Sequence, residues 1–487
     1  MKTPAPFAAT SLALLLAAGS VLPVRAQTGA PESAPAVAAQ STSWRALSRF
    51  GYGPNVELLQ EVQAAGGGQS WALAQIDAAW AASRQSPSIP PALADFNAAL
   101  PGTFAAFQQE RRARLAGQEN YPFSRDLARH AAAWRIAACS QSELENPLLA
   151  RMTEFWFNHL NVFVGKGPVR PFVGHYVVNV IRANALGRFE DLLLASARHP
   201  AMLFYLDQAQ SVANGSATPS GQNRCLNENY ARELMELHTL GVDGGYSQHD
   251  VRELARVLTG WTVDPRGDSG FRFAPRLHDH GAKVVMGHAF TASLPWAGQA
   301  QGEEAIRLLA RHPATARRIA LRLARFFVAD QPPEALLQRL ERTFLDTQGD
   351  TRALLRTLVQ SAETWDADNR LFKTPMDYAC SVLTATGALR ASPEPRTFEL
   401  ALGYLAGAGQ PLHGWQTPDG YKVDAATWLA PEALTRRADF ALAMARRGPE
   451  PEFLKAQLAA ASLRSIEAEA PALRAGLMLA SPDFMYK

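Results

Sequence analysis

The sequence predicts a mainly α-helical protein: one large multi-helix domain carrying a small β-hairpin or extended flap. Two observations carry that prediction. Apolar residues recur with helical 3.6-residue spacing along most of the 487-residue chain, whereas period-two alternation is confined to one short stretch. The composition agrees, with 47% hydrophobic and 19% charged residues, which excludes a disordered or collagen-like chain and supplies a large core.

The first segment reads as an export signal. Met1-Lys2 precedes an apolar run centred on Ser11–Ala18, and Val24-Arg25-Ala26 follows as a small-residue cleavage site. That run is shorter than the roughly 20 residues a spanning helix needs. Residues 1–26 are therefore expected to be a signal peptide and 27–43, rich in Ala, Pro, Ser and Gln, a flexible leader. The expected destination is the periplasm or the exterior. No other stretch is long and apolar enough to cross a membrane.

Residues 44–487 read as a single large helical domain, with room for two lobes. Helical spacing runs through 44–83, 92–117, 124–141, 147–164, 171–206, 227–240, 248–260, 303–330, 334–346, 351–363, 375–390, 398–407, 430–447 and 451–481. Asn146-Pro147 suits a cap followed by the first helical position. Ser247-Gln-His-Asp250 resembles a capping box, and Gly241 is a plausible stop. The strand signal is Phe271–Phe273, a turn around His278–Gly281, then Lys283–Met286. Gln208–Arg224 and Gly409–Asp424 read as long loops, which often carry function.

Charge names no partner. There are 48 basic and 45 acidic residues for a net +3, and Lys2 and Arg25 of the signal supply two of those charges. That balance gives no electrostatic footprint for nucleic acid. Cys139, Cys225 and Cys380 permit at most one intramolecular disulfide. Cys139–Cys225 is the expected pair, because both precede polar segments, with Cys380 buried in an apolar helical run. No CxxC, HExxH, GxSxG, Walker A or GxGxxG pattern occurs.

The richest constellation is Asn227–Gly241. On a regular α-helix Glu228, Arg232 and Glu236 fall at i, i+4 and i+8 and form one slowly drifting stripe, with Glu233 near its edge. Burial raises a carboxyl pKa and a neighbouring arginine lowers it, so such a stripe can separate an acid from a base. It can equally be a solvated, salt-bridged face. A second helix presents Arg151, Glu154, Asn158 and Asn161 on one side, with His159 beside them. A third segment presents His175, Asn179 and Arg182. His278, Asp279 and Lys283 offer a base and a cation for an anionic oxygen, or simply turn chemistry. His413, Trp415, Tyr421 and Trp428 crowd one loop that could grip a sugar ring or plug onto the domain.

If these segments converge, Glu228, Arg232, Glu233, Glu236, His278, Asp279 and Lys283 are the catalytic candidates, and Asn158, His159, Asn227, His413 and Trp415 the substrate-binding ones. The same donor types would also suit a divalent metal, and no cofactor signature is present.

The run NENYARELMELHTLGVDGGYSQHDVRELARVLTGW over 227–261 resembles the bacterial family known as domain of unknown function 1800. So do Phe155–His159, Arg182–Gly187, His199-Pro200 leading to Tyr205–Asp207, His278-Asp279 with Lys283, His312–Arg317, Gly409–Pro411 and Leu479–Phe484. Asp483 stands where that pattern expects Glu. The resemblance covers nearly the whole chain from about Trp44. It draws Asn158, His159, Asn227, Glu228, Arg232, Glu233, Glu236, Asp250, His278, Asp279 and Lys283 into shared segments. It implies an exported bacterial protein, often encoded beside a sulfatase-like one, and it implies no reaction. Two functions follow as expectations: an exported enzyme using carboxylate and histidine acid–base chemistry on an envelope or extracellular polymer such as a glycan, or a non-catalytic scaffold or partner of that sulfatase-like neighbour. Oligomeric state is left open.

Overall fold

The computed structural model describes residues 41–118, 122–216, 225–292, 294 and 297–487. The expected signal peptide, nearly all of the leader and part of the loop before Cys225 lie outside these residues. The described chain is helical, with two small two-stranded sheets. No described helix is long and apolar enough to cross a membrane.

Helix ends follow local chemistry. Asn146 accepts from the Leu149 amide at 3.0 Å with Pro147 at the first helical position. Ser247 and Asp250 close a reciprocal capping box at the start of the Gln248–Leu258 helix. The long periodic runs are broken where the backbone demands it. The run over 44–83 becomes Thr42–Arg49, Val56–Ala64 and Gly68–Ser83, with Gly66 and Gly67 both at positive φ in the second break. The run over 303–330 divides into Gly298–Ala310 and Pro313–Phe327, because Pro313 starts a new helix capped by the His312 ring.

The flap is two ribbons rather than one hairpin. Strand β1 (Trp261–Val263) pairs antiparallel with β2 (Phe271–Phe273), and β3 (Lys283–Val285) pairs with β4 (His288–Phe290). The expected pairing of 271–273 with 283–286 therefore does not occur. Met286 and Gly287 both have positive φ and form the tight turn between β3 and β4, so the strand ends before Met286.

Two buried apolar clusters form. One gathers Trp71, Trp134, Trp156, Leu254, Trp261, Leu323 and many neighbours. The other gathers Trp44, Tyr378, Leu383, Phe440 and Phe484. The helix Phe123–Ser140 packs on Pro375–Thr386, and there Cys139 bonds to Cys380 with the Cα atoms 5.7 Å apart. This corrects the expected Cys139–Cys225 pair: the apolar run around Cys380 is buried against the helix that carries Cys139, while Cys225 is free and exposed. Beside it lies a buried ionic group in which Asp377 binds Arg151 and Lys487.

Candidate functional site

The signature helix begins in an Asx turn, with Asn227 Oδ1 accepting from the Asn229 amide at 2.9 Å. It runs as a regular α-helix only over Asn229–Glu233 and continues as a π-helix over Leu234–His238. The Thr239 hydroxyl donates to the Leu234 carbonyl at 2.6 Å, and the Gly241 amide reaches the Met235 carbonyl at 3.1 Å, with Gly241 at positive φ. The wider π turn breaks the expected single stripe. Glu228 and Arg232 pair at 3.2 Å and share Gln248, whose amide donates to Glu228 at 2.7 Å. Glu236 instead lies within electrostatic reach of Tyr246, Glu233 and Arg318. Glu233 is half-buried; burial and then the Glu236 and Asp419 charges push its pKa up against Arg232. Tyr205 feels the Glu233 and Asp419 charges too.

The residues expected on the second helix hold the loop. Asn158 donates to the Tyr421 carbonyl at 3.0 Å and accepts from the Tyr421 amide at 2.8 Å. Asn161 donates to the carbonyls of Trp415 at 3.0 Å and Thr417 at 2.8 Å. The Tyr421 hydroxyl binds Glu154, which binds Arg135. His413 is buried at φ +57°, its ring on Phe157 and both ring nitrogens unpartnered, and its carbonyl accepts from the Val164 amide at 3.0 Å. Trp415 is half-buried and donates to Thr417 at 3.0 Å. His159 is buried and its Nε2–H donates to the His238 carbonyl at 3.0 Å. Burial, then the Arg322 and Arg318 charges, depress the His159 pKa, and the same influences push His238 down to about 3.

His278, Asp279 and Lys283 form a separate group. Arg256 donates to both Asp279 oxygens, at 2.8 and 3.2 Å, and to both Glu253 oxygens. Burial would raise the Asp279 pKa, but the Arg256 guanidinium holds it below the usual range. His278 Nδ1–H donates to the Thr259 carbonyl at 2.8 Å, leaving Nε2 buried and unpartnered. Burial lowers its pKa to about 4 and also lowers that of Lys283, which donates to Gln301 at 3.3 Å. Among the described residues no hydrogen bond or ion pair joins this group to Glu233 and Glu236.

What the signature helix and the loop share is a cleft of about 720 Å³, lined by Leu237, Arg318, Arg322, Arg325, Asp419 and Tyr421 among others. Its volume falls in the roughly 300–1,000 Å³ range of ligand sites. The arginines occupy i, i+4 and i+7 of the Pro313–Phe327 helix, so they share one face. Sequence reasoning missed them: the spacing was visible in Arg-Ile-Ala-Leu-Arg-Leu-Ala-Arg, but nothing local says that this face borders a cavity. Arg318 donates to the Leu237 carbonyl at 3.0 Å, tying the arginine row to the π turn. Burial and the Arg318 charge lower the Arg322 pKa to about 10, against Asp419. Among the described residues, no group of three or more His, Cys, Asp or Glu is disposed to hold a metal ion.

The arrangement thus offers a half-buried carboxyl with a raised pKa, a second carboxylate beside it and fixed guanidinium charge along one wall. Such a set can move a proton and stabilise negative charge. No curated protein and no solved structure matches the chain. A family model described as a protein of unknown function, DUF1800, matches residues 45–486, and the chain belongs to that family.

Proposed function

We propose that the protein is an exported enzyme that performs acid–base chemistry on an envelope or extracellular polymer at the Arg318–Tyr421 cleft. The observation that carries this reading is Glu233. It is half-buried within electrostatic reach of Asp419, which lines the cleft, with its pKa raised by burial and by Glu236. A carboxyl whose pKa is pushed up by burial and a neighbouring carboxylate holds its proton more firmly than an ordinary glutamate, which suits general acid work. Arg318 and Arg322 supply charge stabilisation, and the clamped loop supplies the opposite wall. The Cys139–Cys380 pair supports an oxidising compartment, as export requires. In this reading Glu228 and Arg232 position the start of the signature helix, and Asn158 positions the loop.

The test is release of reducing ends from acidic and neutral polysaccharides by wild-type protein and by Glu233→Gln. Loss of turnover by about 100-fold or more with an unchanged melting temperature supports the reading, since general acid–base groups contribute roughly 10²–10⁴-fold. Equal turnover in the two proteins, or inactivity of both on every polymer, counts against it.

A further inference from the structure

The arginine row carries more charge than proton transfer at Glu233 requires. Arg318, Arg322 and Arg325 have no carboxylate within 4.0 Å among the described residues. On the other face of the same helix Arg317 pairs with Glu334 at 3.1 Å and Glu341 at 3.2 Å, whereas the three that line the cavity form no such pair. Three guanidiniums on one wall of a cavity, none in a direct ion pair, form a ready receptor for negative charge.

The cleft is not empty of acids, and their disposition narrows the ligand. Asp330 accepts from the Ala425 amide at 3.0 Å, Asp424 caps Thr427, and Asp419 accepts from the Thr417 hydroxyl at 2.5 Å. These carboxylates hydrogen-bond within the loop and make no ion pair with the arginines within 4.0 Å, although Asp419 lies within electrostatic reach of Arg318 and Arg322, and all three line the cavity. A densely charged polyanion such as a nucleic acid would meet them as like charges. A chain whose negative groups are spaced apart, with hydroxyls between them, satisfies both sets: anions on the arginines, hydroxyl donors on the free carboxylate lone pairs. At ~1.5 Å rise per residue the first and last arginines lie about 10 Å apart along the helix axis, so the row spans more than one small anion.

We infer that the cleft binds an acidic oligosaccharide, with carboxylate or sulfate groups on at least two of its sugars engaging Arg318, Arg322 and Arg325. This rests on taking the same cleft as the substrate site and names the class of polymer it takes.

Titration calorimetry on the purified protein tests it with four probes: tetragalacturonate for carboxylates, a heparin-type sulfated tetrasaccharide, neutral maltotetraose, and the oligonucleotide dT4. The expected result is binding of one or both acidic sugars, at least about tenfold tighter than maltotetraose or dT4 and weakening with salt. Arg325→Gln, at an exposed position, should weaken it by about tenfold or more, whereas Arg317→Gln should leave it unchanged. Equal binding of maltotetraose, tightest binding of dT4, no binding of either acidic sugar, or wild-type affinity in both Arg322→Gln and Arg325→Gln would overturn it. Glu233→Gln separates the two levels. Acidic-sugar binding retained while Glu233→Gln turns over like wild type keeps this inference and removes the acid–base reading. Neutral polymer cleaved only when Glu233 is present, with no acidic-sugar binding, does the reverse.

Discussion

Gly420→Ala probes how the cleft wall is held. Gly420 has φ +72°, and a Cβ there would lie 2.1 Å from the Asn158 carbonyl oxygen and 2.3 Å from Asn158 Oδ1. The first contact is backbone and cannot rotate away, so the loop must lift from the Pro147–His159 helix. An alanine at positive φ costs about 1–2 kcal/mol. Lifting also breaks both Asn158–Tyr421 hydrogen bonds, each contributing about 1 kcal/mol. Gly245 supplies the control: it has φ +81° with nothing within 4 Å, so Gly245→Ala carries the backbone cost alone. The difference of about 2 kcal/mol between the variants is the clamp. It is read directly by hydrogen exchange at the Tyr421 amide, which donates to Asn158, and the Val164 amide, which donates to His413. In Gly420→Ala these two should exchange roughly 30-fold faster, and in Gly245→Ala at the wild-type rate. Wild-type exchange at both amides in Gly420→Ala would refute the clamp.

Removing the Asp377 carboxylate by Asp377→Asn strands Arg151 and Lys487 in a buried site and should cost about 3–5 kcal/mol in urea unfolding. Although burial opposes ionisation, Arg151 and Lys487 depress the Asp377 pKa, so the stability it contributes is present above the ordinary carboxylate range and is lost as pH falls below about 4. The buried histidines act earlier. With His238 held at about 3 by burial and the nearby arginines, stability is full above the unfolded value near 6.5 and falls as pH drops below it. Between pH 7 and pH 5 this ring alone should remove about 2 kcal/mol, and His238→Gln should flatten that part of the pH–stability curve if it folds stably at pH 7. Cys139→Ser with Cys380→Ser should lower stability by about 2–5 kcal/mol, whereas Cys225→Ser should change it by less than about 0.5 kcal/mol.

What was legible in the sequence was local. The Asn146-Pro147 start and the Ser247–Asp250 capping box rest on side chains within three residues of the backbone they satisfy, so spacing alone identifies them. The helical class follows from the same short-range periodicity. The π turn was missed because the sequence run still fits a 3.6-residue repeat; its cause is the Thr239 bond to Leu234, which competes with the ordinary helical pattern. The strand partners were misread because Phe271–Phe273 can pair with either neighbour, and an apolar Met286 in a left-handed turn gives no warning. The disulfide and the arginine row are non-local. Cys380 meets Cys139 across 241 residues, and Arg318, Arg322 and Arg325 become a wall only when the loop carrying Asp419 and Tyr421 is fastened by Asn158 and Asn161. The two asparagines were recognised as one helical face, and what that face does became clear only from its partners.

The most direct measurement is the carbon-13 titration of the Glu233 carboxyl in labelled protein, assigned by its loss in Glu233→Gln. A midpoint above the ordinary glutamate value of 4.5, falling when Glu236→Gln removes the neighbouring charge, is the predicted result. A midpoint at or below 4.5, unmoved by Glu236→Gln, would contradict a proton-holding carboxyl within reach of the cleft residue Asp419.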